Sequence, residues 1–152
     1  MIRKFDKADL QDILDIWLEG NAQAHHFIPE SYWKSNLKFM TEALPKAEVY
    51  VYRKGGEVIG FAGLQGNHIA GLFVRSGHRS RGIGHELTSF LRQSHNALTL
   101  CVYEKNEKAV EFYLSDGFSI VSKNMDEATG EYEFMMSWER GDNRPINAVS
   151  KF

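Results

Sequence analysis

The sequence predicts an α+β domain in which a central mixed, mostly antiparallel β-sheet is flanked by helices, in the element order βααβββαβαββ. Two patterns support this order: short apolar segments bounded by turn residues, typical of strands, and longer segments whose apolar residues recur every three or four positions, typical of helices. The chain has 152 residues, of which 43 % are hydrophobic and 25 % are charged, the composition of a globular protein. One domain with its own core accounts for this length.

The N-terminal elements are a strand and a helix. Residues 2–5 form a short strand, and Asp6 is placed to cap the helix that follows it. One face of this helix is apolar and consists of Leu10, Ile13, Leu14, Trp17 and Leu18. Glycine is common directly after the last turn of a helix, so we expect Gly20 to end this one.

A loop, a second helix and a hairpin follow. We expect residues 21–28 to form the loop. Pro29 suits the first turn of the second helix, where its missing N–H would have had no helical partner, and Pro45 ends that helix. Strands at residues 49–52 and 57–64 are then joined through a Lys-Gly-Gly turn, whose glycines favour a tight hairpin.

The C-terminal half alternates strands and helices before a last antiparallel pair. Two helices and four strands are predicted here, the strands at residues 68–74, 98–103, 118–123 and 131–138. The predicted domain therefore spans residues 1–138. The tail at residues 139–152 is polar with little periodicity, so we expect a frayed terminus, with packing on a second subunit as the alternative.

The segment LFVRSGHRSRGIGHELTSFL at residues 72–91 leads from a strand through a glycine-bearing loop into an amphipathic helix. The loop therefore lies at a helix N-terminus, where first-turn N–H groups are unpaired and the helix dipole is positive. Gly82 and Gly84 let the backbone approach an anion, and Arg79 and Arg81 add positive charge. The segment predicts a site for a phosphate-bearing cofactor.

Two common phosphate-binding loops do not fit this segment. A Walker loop needs Gly-Lys-Ser/Thr after its second glycine, but His85 and Glu86 follow Gly84. A dinucleotide-binding fingerprint needs a third glycine where this chain has Leu87. The pattern that fits is Arg/Gln-x-x-Gly-x-Gly/Ala, which is weak by itself, so a second segment is needed to assign it.

A second motif, NEKAVEFYLSDGF, occupies residues 106–118. Asn106 is a natural N-cap for the helix that follows, and Gly117 suits the position after its last turn. The motif resembles Asn-x-x-Ala-x-x-Phe-Tyr-x-x-x-Gly-Phe of the GNAT superfamily of acetyl-CoA-dependent N-acetyltransferases at every fixed position. The loop at residues 79–84 resembles the other GNAT motif, and the two stand in the family's order with room between them for a helix, a turn and a strand.

The resemblance implies the GNAT fold across residues 1–138, with acetyl-CoA as co-substrate. It also implies direct transfer of the acetyl group, without a metal, to a primary amine of a small molecule or of a protein lysine or N-terminus. The cofactor would lie where the strand at residues 72–74 splays from the strand at residues 98–103. Its pantetheine arm would pair with the first strand, and the N–H of Val74 would polarise the thioester carbonyl. The cofactor-binding residues implied are Leu72, Phe73, Val74, Arg79, Ser80, Arg81, Gly82, Ile83, Gly84, Asn106, Ala109 and Tyr113.

The resemblance also implies that Tyr113 is the general acid. A phenol, with a reference pKa of about 10, is protonated at neutral pH and can donate to the departing thiolate. Outside this motif, Phe112 and Tyr113 would be interpreted as apolar helix residues. The tyrosine favours an enzyme over the alternative class of function, a non-catalytic acyl-CoA-binding sensor or interaction module.

The general base is left open between His68 and a chain of water molecules. Many GNAT enzymes have Glu-Leu-x-x-Leu-x-Val at this strand, whereas residues 68–74 are HIAGLFV. His68 replaces the carboxylate with an imidazole, the side chain whose charge changes nearest to neutral pH, which suits removal of a proton from an ammonium group. The structural alternative is a surface histidine at the start of a strand.

The resemblance places acceptor binding in the segment that joins the first two helices, residues 21–33. The pair His25 and His26 suggests a metal site, but adjacent residues rarely direct both rings at one ion and no cysteine or third histidine is nearby, so we expect no metal. We expect His26, Tyr32 and Trp33 to line a pocket for the amine acceptor, a small molecule or a protein lysine. The alternative for Trp33 is that it anchors the second helix to the core.

Charge and cysteine content exclude several other classes. The formal net charge is −2 and the pI about 6.3, so the sequence predicts neither a nucleic-acid partner nor attachment to a membrane. The one cysteine, Cys101, excludes an intramolecular disulfide, and the N-terminus has no apolar run of signal-peptide or transmembrane length. We expect a cytoplasmic protein, monomeric or homodimeric.

Overall fold

The computed structural model describes residues 1–141, and the part of the predicted tail at residues 142–152 lies outside the described residues. The seven strands of the described chain are β1 Ile2–Lys4, β2 Glu48–Lys54, β3 Glu57–Gln65, β4 His68–Val74, β5 Ala97–Tyr103, β6 Ser119–Asp126 and β7 Glu131–Glu139. Its five α-helices are α1 Leu10–Ala24, α2 Glu30–Ser35, α3 Leu37–Ala43, α4 Ile83–Arg92 and α5 Glu107–Ser115. Short 3-10 turns occur at Lys7–Asp9 and Leu44–Lys46.

The strands form one sheet in the order β1-β2-β3-β4-β5-β7-β6. Neighbouring strands are antiparallel except for β4 and β5, which are parallel, so the predicted mixed, mostly antiparallel sheet is confirmed. The parallel pair is short, because only His68 with Thr99 and Ile69 with Leu100 are in register. Beyond these residues β4 and β5 diverge, and a cleft opens between them.

Helices cover both faces of the sheet, and apolar side chains are buried beneath each layer. The core under α4 and α5 includes Leu87, Leu91, Leu98, Leu100 and Met136. The core under α1, α2 and α3 includes Ile13, Ile16, Trp17, Val51 and Phe61. Removal of these side chains from water on both faces provides the main stabilisation of the fold. Among the helices of residues 1–141, none has the length and apolar character needed to cross a bilayer.

Helix α1 does not end at Gly20 as predicted but continues to Ala24. Gly20 is buried against the ring of Phe73 in β4, where an added Cβ would lie only 2.7 Å from Phe73 Cδ1. Glycine therefore serves close packing of the helix on the sheet, and this tertiary contact overrides its weak helix propensity. The predicted loop at residues 21–28 is correspondingly shorter, because its first four residues belong to the helix.

The second predicted helix is divided into α2 and α3 at Asn36. The Asn36 Nδ2 donates to the carbonyl of Tyr32 at 2.7 Å, a local side-chain bond of the kind that competes with helical hydrogen bonding. Pro29 is the residue before α2, and Pro45 lies in the 3-10 turn after α3. The two ends of the helical region were thus predicted correctly, whereas its interruption was not.

Local capping and turn predictions are confirmed. Asp6 accepts a hydrogen bond in the first turn of the helical region and forms a capping box with Asp9. Asn106 caps α5 by accepting from the backbone N–H of Ala109 at 3.4 Å. The Lys-Gly-Gly turn joins β2 to β3 as a hairpin. These signals act over a few residues, so they do not depend on the rest of the fold.

Candidate active site

The part of β4 that lines the cleft presents backbone groups to it. The N–H of Arg75, directly after β4, donates to the carbonyl of Ile59 in β3 at 2.7 Å. Hydrogen bonds alternate along an antiparallel pair, so the N–H and C=O groups of Leu72 and Val74 point away from β3 and into the cleft. The Nε of Arg79 donates to the Val74 carbonyl at 2.9 Å. This edge of β4 can therefore pair with an extended ligand.

A β-bulge in β4 sets the position of His68 at the closed end of the cleft. Ala70 is the residue of β4 that has no register partner in β3. The extra residue shifts the alternation of side chains, so His68 lies on the same face of the sheet as Phe73. The half-buried His68 ring has its Nδ1 2.8 Å from the hydroxyl oxygen of Thr99 in β5.

The loop between β4 and α4 carries the predicted phosphate site. Gly82 precedes α4 with φ +83°, a left-handed conformation that glycine adopts without strain. The Arg79 Nη1 donates to Gln23 Oε1 of α1 at 2.7 Å, so the Arg79 guanidinium ties the loop to α1 as well as to β4. The side chains of Ser80 and Arg81 are exposed. Arg79 therefore supports the loop, and the first-turn N–H groups of α4, which have no partner within the helix, are available to donate to an anion.

Three predicted cofactor residues also have packing roles. The side chain of Ile83 is buried in the core under α4, and Ala109 packs against the same core from α5. Gly84 lies against Phe112 of α5, and an added Cβ would be 3.1 Å from Phe112 Cζ. Gly84 thus allows the N-terminus of α4 to approach α5. The sequence predicted this glycine only from the approach of an anion to the backbone, and not from helix packing.

Tyr113 lies on α5 and is buried, with 8 % of its surface exposed. Its ring makes T-shaped contacts with Phe112 and Phe118, at centroid distances of 5.1 and 5.5 Å. Burial, followed by the negative charge of Asp116, raises the pKa of Tyr113. The phenol is therefore protonated at neutral pH, the state that a general acid requires.

Asp116, the residue after α5, joins α5 to α4 in a contact that the sequence did not predict. Its carboxylate is 3 % exposed and accepts hydrogen bonds from Thr88 Oγ1 at 2.6 Å and Arg92 Nη2 at 3.0 Å. The same carboxylate lies next to His85 Nδ1 at 2.5 Å. Asp116 occupies an unspecified position of the second motif, so only the packing of the two helices reveals its role.

His25 connects the acceptor segment, residues 21–33, to the second motif, residues 106–118. The sequence did not predict this connection. This histidine is buried, with its Nδ1 2.9 Å from Asn21 Oδ1 and its Nε2 3.2 Å from Asn106 Nδ2, whereas His26 is exposed. On a continuous helix, His25 follows Trp17 and Asn21 on one buried face. The four-residue spacing of Trp17, Asn21 and His25 could have predicted that His25 is buried. The predicted helix end at Gly20 placed His25 in a loop instead.

The three predicted acceptor residues differ in burial, although the rings of Tyr32 and Trp33 are in contact with their centroids 4.9 Å apart. Trp33 is 8 % exposed and packs edge-on against Trp17 with ring centroids 5.9 Å apart, so it anchors α2 to the core, the alternative that the sequence left open. Tyr32 is half-buried and lines a surface cavity of about 450 Å³ between α2 and the β6–β7 turn. The other residues that line this cavity are Ile28, Pro29, Ser31, Ser35, Ala128 and Thr129.

An acidic rim, formed by Asp126 and Glu133 with the hydroxyl of Tyr103, adjoins Tyr32. The Tyr103 hydroxyl donates to Asp126 Oδ2 at 2.6 Å, and Glu133 is the register partner of Tyr103. Burial and then the charge of Asp126 raise the pKa of both Tyr32 and Glu133. Sequence reasoning did not find the rim, because its members come from three strands. Close carboxylates and phenols favour a cationic ligand.

Sequence comparisons relate the chain to acetyltransferases. The family model for the acetyltransferase (GNAT) domain matches residues 15–139. The chain is 35 % identical over 140 residues to the peptidyl-lysine N-acetyltransferase YiaC of Escherichia coli strain K12, with 91 % of this chain and 96 % of that protein covered. It is 28 % identical over 124 residues to the peptidyl-lysine N-acetyltransferase YjaB of Salmonella typhimurium, with 81 % and 86 % of the two proteins covered.

Solved structures share the fold. The solution structure of apo-form YjaB from Escherichia coli matches with a TM-score of 0.81 at 25 % identity and covers 91 % of this chain and 96 % of that chain. The structure of yncA from Salmonella typhimurium with its cofactor acetyl-CoA matches with a TM-score of 0.67 at 19 % identity and covers 98 % of each chain. At the lower identity the likeness shows the fold alone.

Proposed function

The chain belongs to the GNAT acetyltransferase family, which uses acetyl-CoA, and on that premise we propose that it transfers the acetyl group directly to a protein lysine, with Tyr113 as the general acid. The observation that carries the proposal is the cleft between β4 and β5. The helices α4 and α5 begin after these two strands, so both helix N-termini lie at the open end of the cleft. One extended acyl-CoA can therefore contact both motifs.

In this proposal, acetyl-CoA binds as an added strand along the cleft edge of β4. The pantetheine amides pair with the backbone of residues 72–74, and Asn106 and Ala109 contact the arm from α5. Its pyrophosphate accepts hydrogen bonds from backbone N–H groups at the start of α4, where the helix dipole favours an anion. The residues that supply this phosphate cradle are Arg79, Ser80, Arg81, Gly82, Ile83 and Gly84.

The transfer step uses a hydrogen-bond donor to the oxyanion, a general acid and a general base. The amine nitrogen attacks the thioester carbonyl carbon, and the N–H of Val74, which points into the cleft, stabilises the oxyanion. The carbon–sulfur bond then breaks, and the Tyr113 hydroxyl gives its proton to the departing thiolate, so CoA leaves as a thiol. The lysine side chain is an ammonium at neutral pH, so it gives one proton to the base before the attack. After the attack the nitrogen loses a second proton, which returns through solvent to Tyr113 and restores its hydroxyl.

We propose His68 as the group that accepts the proton of the amine, because the bulge places its ring at the closed end of the cleft with Thr99 as a partner. His68→Gln is expected to lower kcat/KM for the amine about 100-fold. The measurement is kcat/KM for the amine at saturating acetyl-CoA. His95→Gln, after α4 and away from the cleft, is the matched control. An unchanged kcat/KM in His68→Gln would assign the proton to a water chain instead.

A lysine side chain is the acceptor that the site supports best. Two relatives are named peptidyl-lysine N-acetyltransferases. The acidic rim beside Tyr32 favours a cation, and the surface cavity between α2 and the β6–β7 turn gives a peptide room next to the amine. A small polyamine would satisfy the same charges, so the acceptor must be tested directly.

The test is a panel of acceptors in which free CoA thiol is followed in the presence of acetyl-CoA. We expect lysine-containing peptides to release thiol faster than small monoamines and polyamines. Acetyl-CoA alone should raise the melting temperature, since saturation at 100 times Kd adds about 2.7 kcal/mol to the free energy of unfolding. No thermal shift at millimolar acetyl-CoA would contradict cofactor binding. A shift without amine-dependent release would favour a non-catalytic acyl-CoA-binding module.

A further inference from the structure

The buried His25 ring lies between two asparagine side chains that come from opposite halves of the chain. Asn21 lies in the last turn of α1, which His25 directly follows, and Asn106 is the N-cap of α5. The His25 Nδ1 is 2.9 Å from Asn21 Oδ1, and its Nε2 is 3.2 Å from Asn106 Nδ2. The imidazole therefore forms a bridge from the acceptor segment to the motif that contacts the cofactor.

The hydrogen bond between Asn21 and Trp17 determines which group donates and which accepts in the rest of this bridge. The Asn21 Nδ2 donates to the backbone carbonyl of Trp17 at 2.9 Å, so the Asn21 amide must turn its oxygen toward His25. His25 consequently carries its proton on Nδ1, which leaves Nε2 as an acceptor. Asn106 must then present an N–H of its Nδ2 to His25.

The same orientation of Asn106 satisfies the helix cap. Its Oδ1 accepts from the backbone N–H of Ala109, which requires the oxygen to face the helix and the nitrogen to face away from it. After both bonds are made, the Asn106 amide keeps one N–H and one oxygen lone pair for a ligand. A flipped amide would lose both the cap and the bond to His25.

Three aromatic side chains hold the imidazole in place. The ring centroids of Tyr103, Trp33 and Phe27 lie 5.0, 5.5 and 5.7 Å from that of His25. Burial lowers the pKa of His25 to about 4, so the ring is neutral at physiological pH. A protonated ring would turn an N–H toward the N–H of Asn106, which the geometry does not allow.

We propose that His25 is a positioning residue that holds the Asn106 amide in the one orientation that can receive the pantetheine arm of acetyl-CoA. The inference extends the proposed function, because it rests on the binding of acetyl-CoA in the β4–β5 cleft. In this proposal Trp33 has a second role besides anchoring α2. The Trp33 ring restricts the His25 imidazole, which orients the Asn106 amide toward the cofactor. The acceptor segment and the cofactor site are thereby joined by one hydrogen-bonded chain.

The experiment compares His25→Phe with His25→Gln and measures the Kd of acetyl-CoA by calorimetry. Phenylalanine keeps an aromatic ring but offers no acceptor, so Kd should rise about tenfold, the equivalent of one hydrogen bond. Glutamine keeps an acceptor for Asn106 Nδ2, so its Kd should stay within about threefold of the wild type. In turnover, His25→Phe should raise KM for acetyl-CoA and leave kcat nearly unchanged.

A second comparison, made in the Asn106→Ser variant, distinguishes a positioning role of His25 from a role in packing alone. Asn106→Ser keeps an N-cap hydroxyl but cannot reach His25. In that background, His25→Phe should change Kd less than about twofold, because the contact it orients is already absent. Equal weakening in both backgrounds, or no weakening in either, would overturn the inference. If His25→Phe does not fold, Asn21→Leu, which frees the tautomer of His25, should show the same dependence on Asn106. Failure of the wild type to bind acetyl-CoA would instead contradict the proposed function.

Discussion

Tyr113→Phe is expected to lower amine-dependent release of CoA thiol about 1000-fold, while the protein still folds and still binds acetyl-CoA. The substitution removes only the hydroxyl, and the ring keeps its contacts with Phe112 and Phe118. Without the phenol, the thiolate must leave unprotonated or take its proton from water. The wild-type phenol is protonated throughout the neutral range, so the loss should be seen at every pH in that range.

The measurement is kcat with saturating acetyl-CoA and the best lysine peptide, beside the thermal shift that acetyl-CoA produces. Tyr132→Phe is the matched control, because Tyr132 is an exposed tyrosine on β7 outside the cleft. A normal thermal shift with a large fall in kcat would assign Tyr113 to the chemical step. Turnover equal to that of the wild type would remove Tyr113 from the mechanism.

Asp116→Ala is expected to lower the free energy of unfolding by about 3–5 kcal/mol, the usual cost of removing one partner from a buried ion pair. The lost carboxylate leaves Arg92, whose side chain is 16 % exposed, without its charged partner. It also removes one of the two acceptors of the Thr88 hydroxyl, which keeps only the carbonyl of His85. The exposed His85 contributes little, since solvent screens its interaction with the carboxylate. The main effect is therefore a weaker connection between α4 and α5.

Denaturant unfolding followed by circular dichroism measures this change, and the melting temperature should fall by about 10 °C. Glu111→Ala is the control, because Glu111 is an exposed acid on the same helix α5. Its expected effect is within about 0.5 kcal/mol. A loss below about 1 kcal/mol in Asp116→Ala would mean that Arg92 finds another partner.

Elements whose signals are local were predicted well. The cap at Asn106 and the start of α4 after Gly82 depend on backbone geometry within one turn, and neighbours elsewhere in the chain do not alter them. Predictions failed where a distant residue decided the outcome. Gly20 was expected to end α1, but the ring of Phe73 makes glycine necessary inside the helix. One local feature was also missed, because the side chain of Asn36 bonds to the carbonyl of Tyr32 at the point where the second helical region divides.

The sequence by itself identified the family and the cofactor, because its two motifs resemble those of the GNAT superfamily. It also predicted the helix N-termini that carry these motifs, because the backbone conformations at a helix end are local. It could not determine which side chains complete the site. His25 and Asn106 stand 81 positions apart, and the acidic rim of Asp126, Glu133 and Tyr103 comes from three strands. The burial, protonation and partners of a side chain depend on every element packed around it. Only the tertiary structure therefore decided that His25 is the buried histidine and that Trp33 belongs to the core.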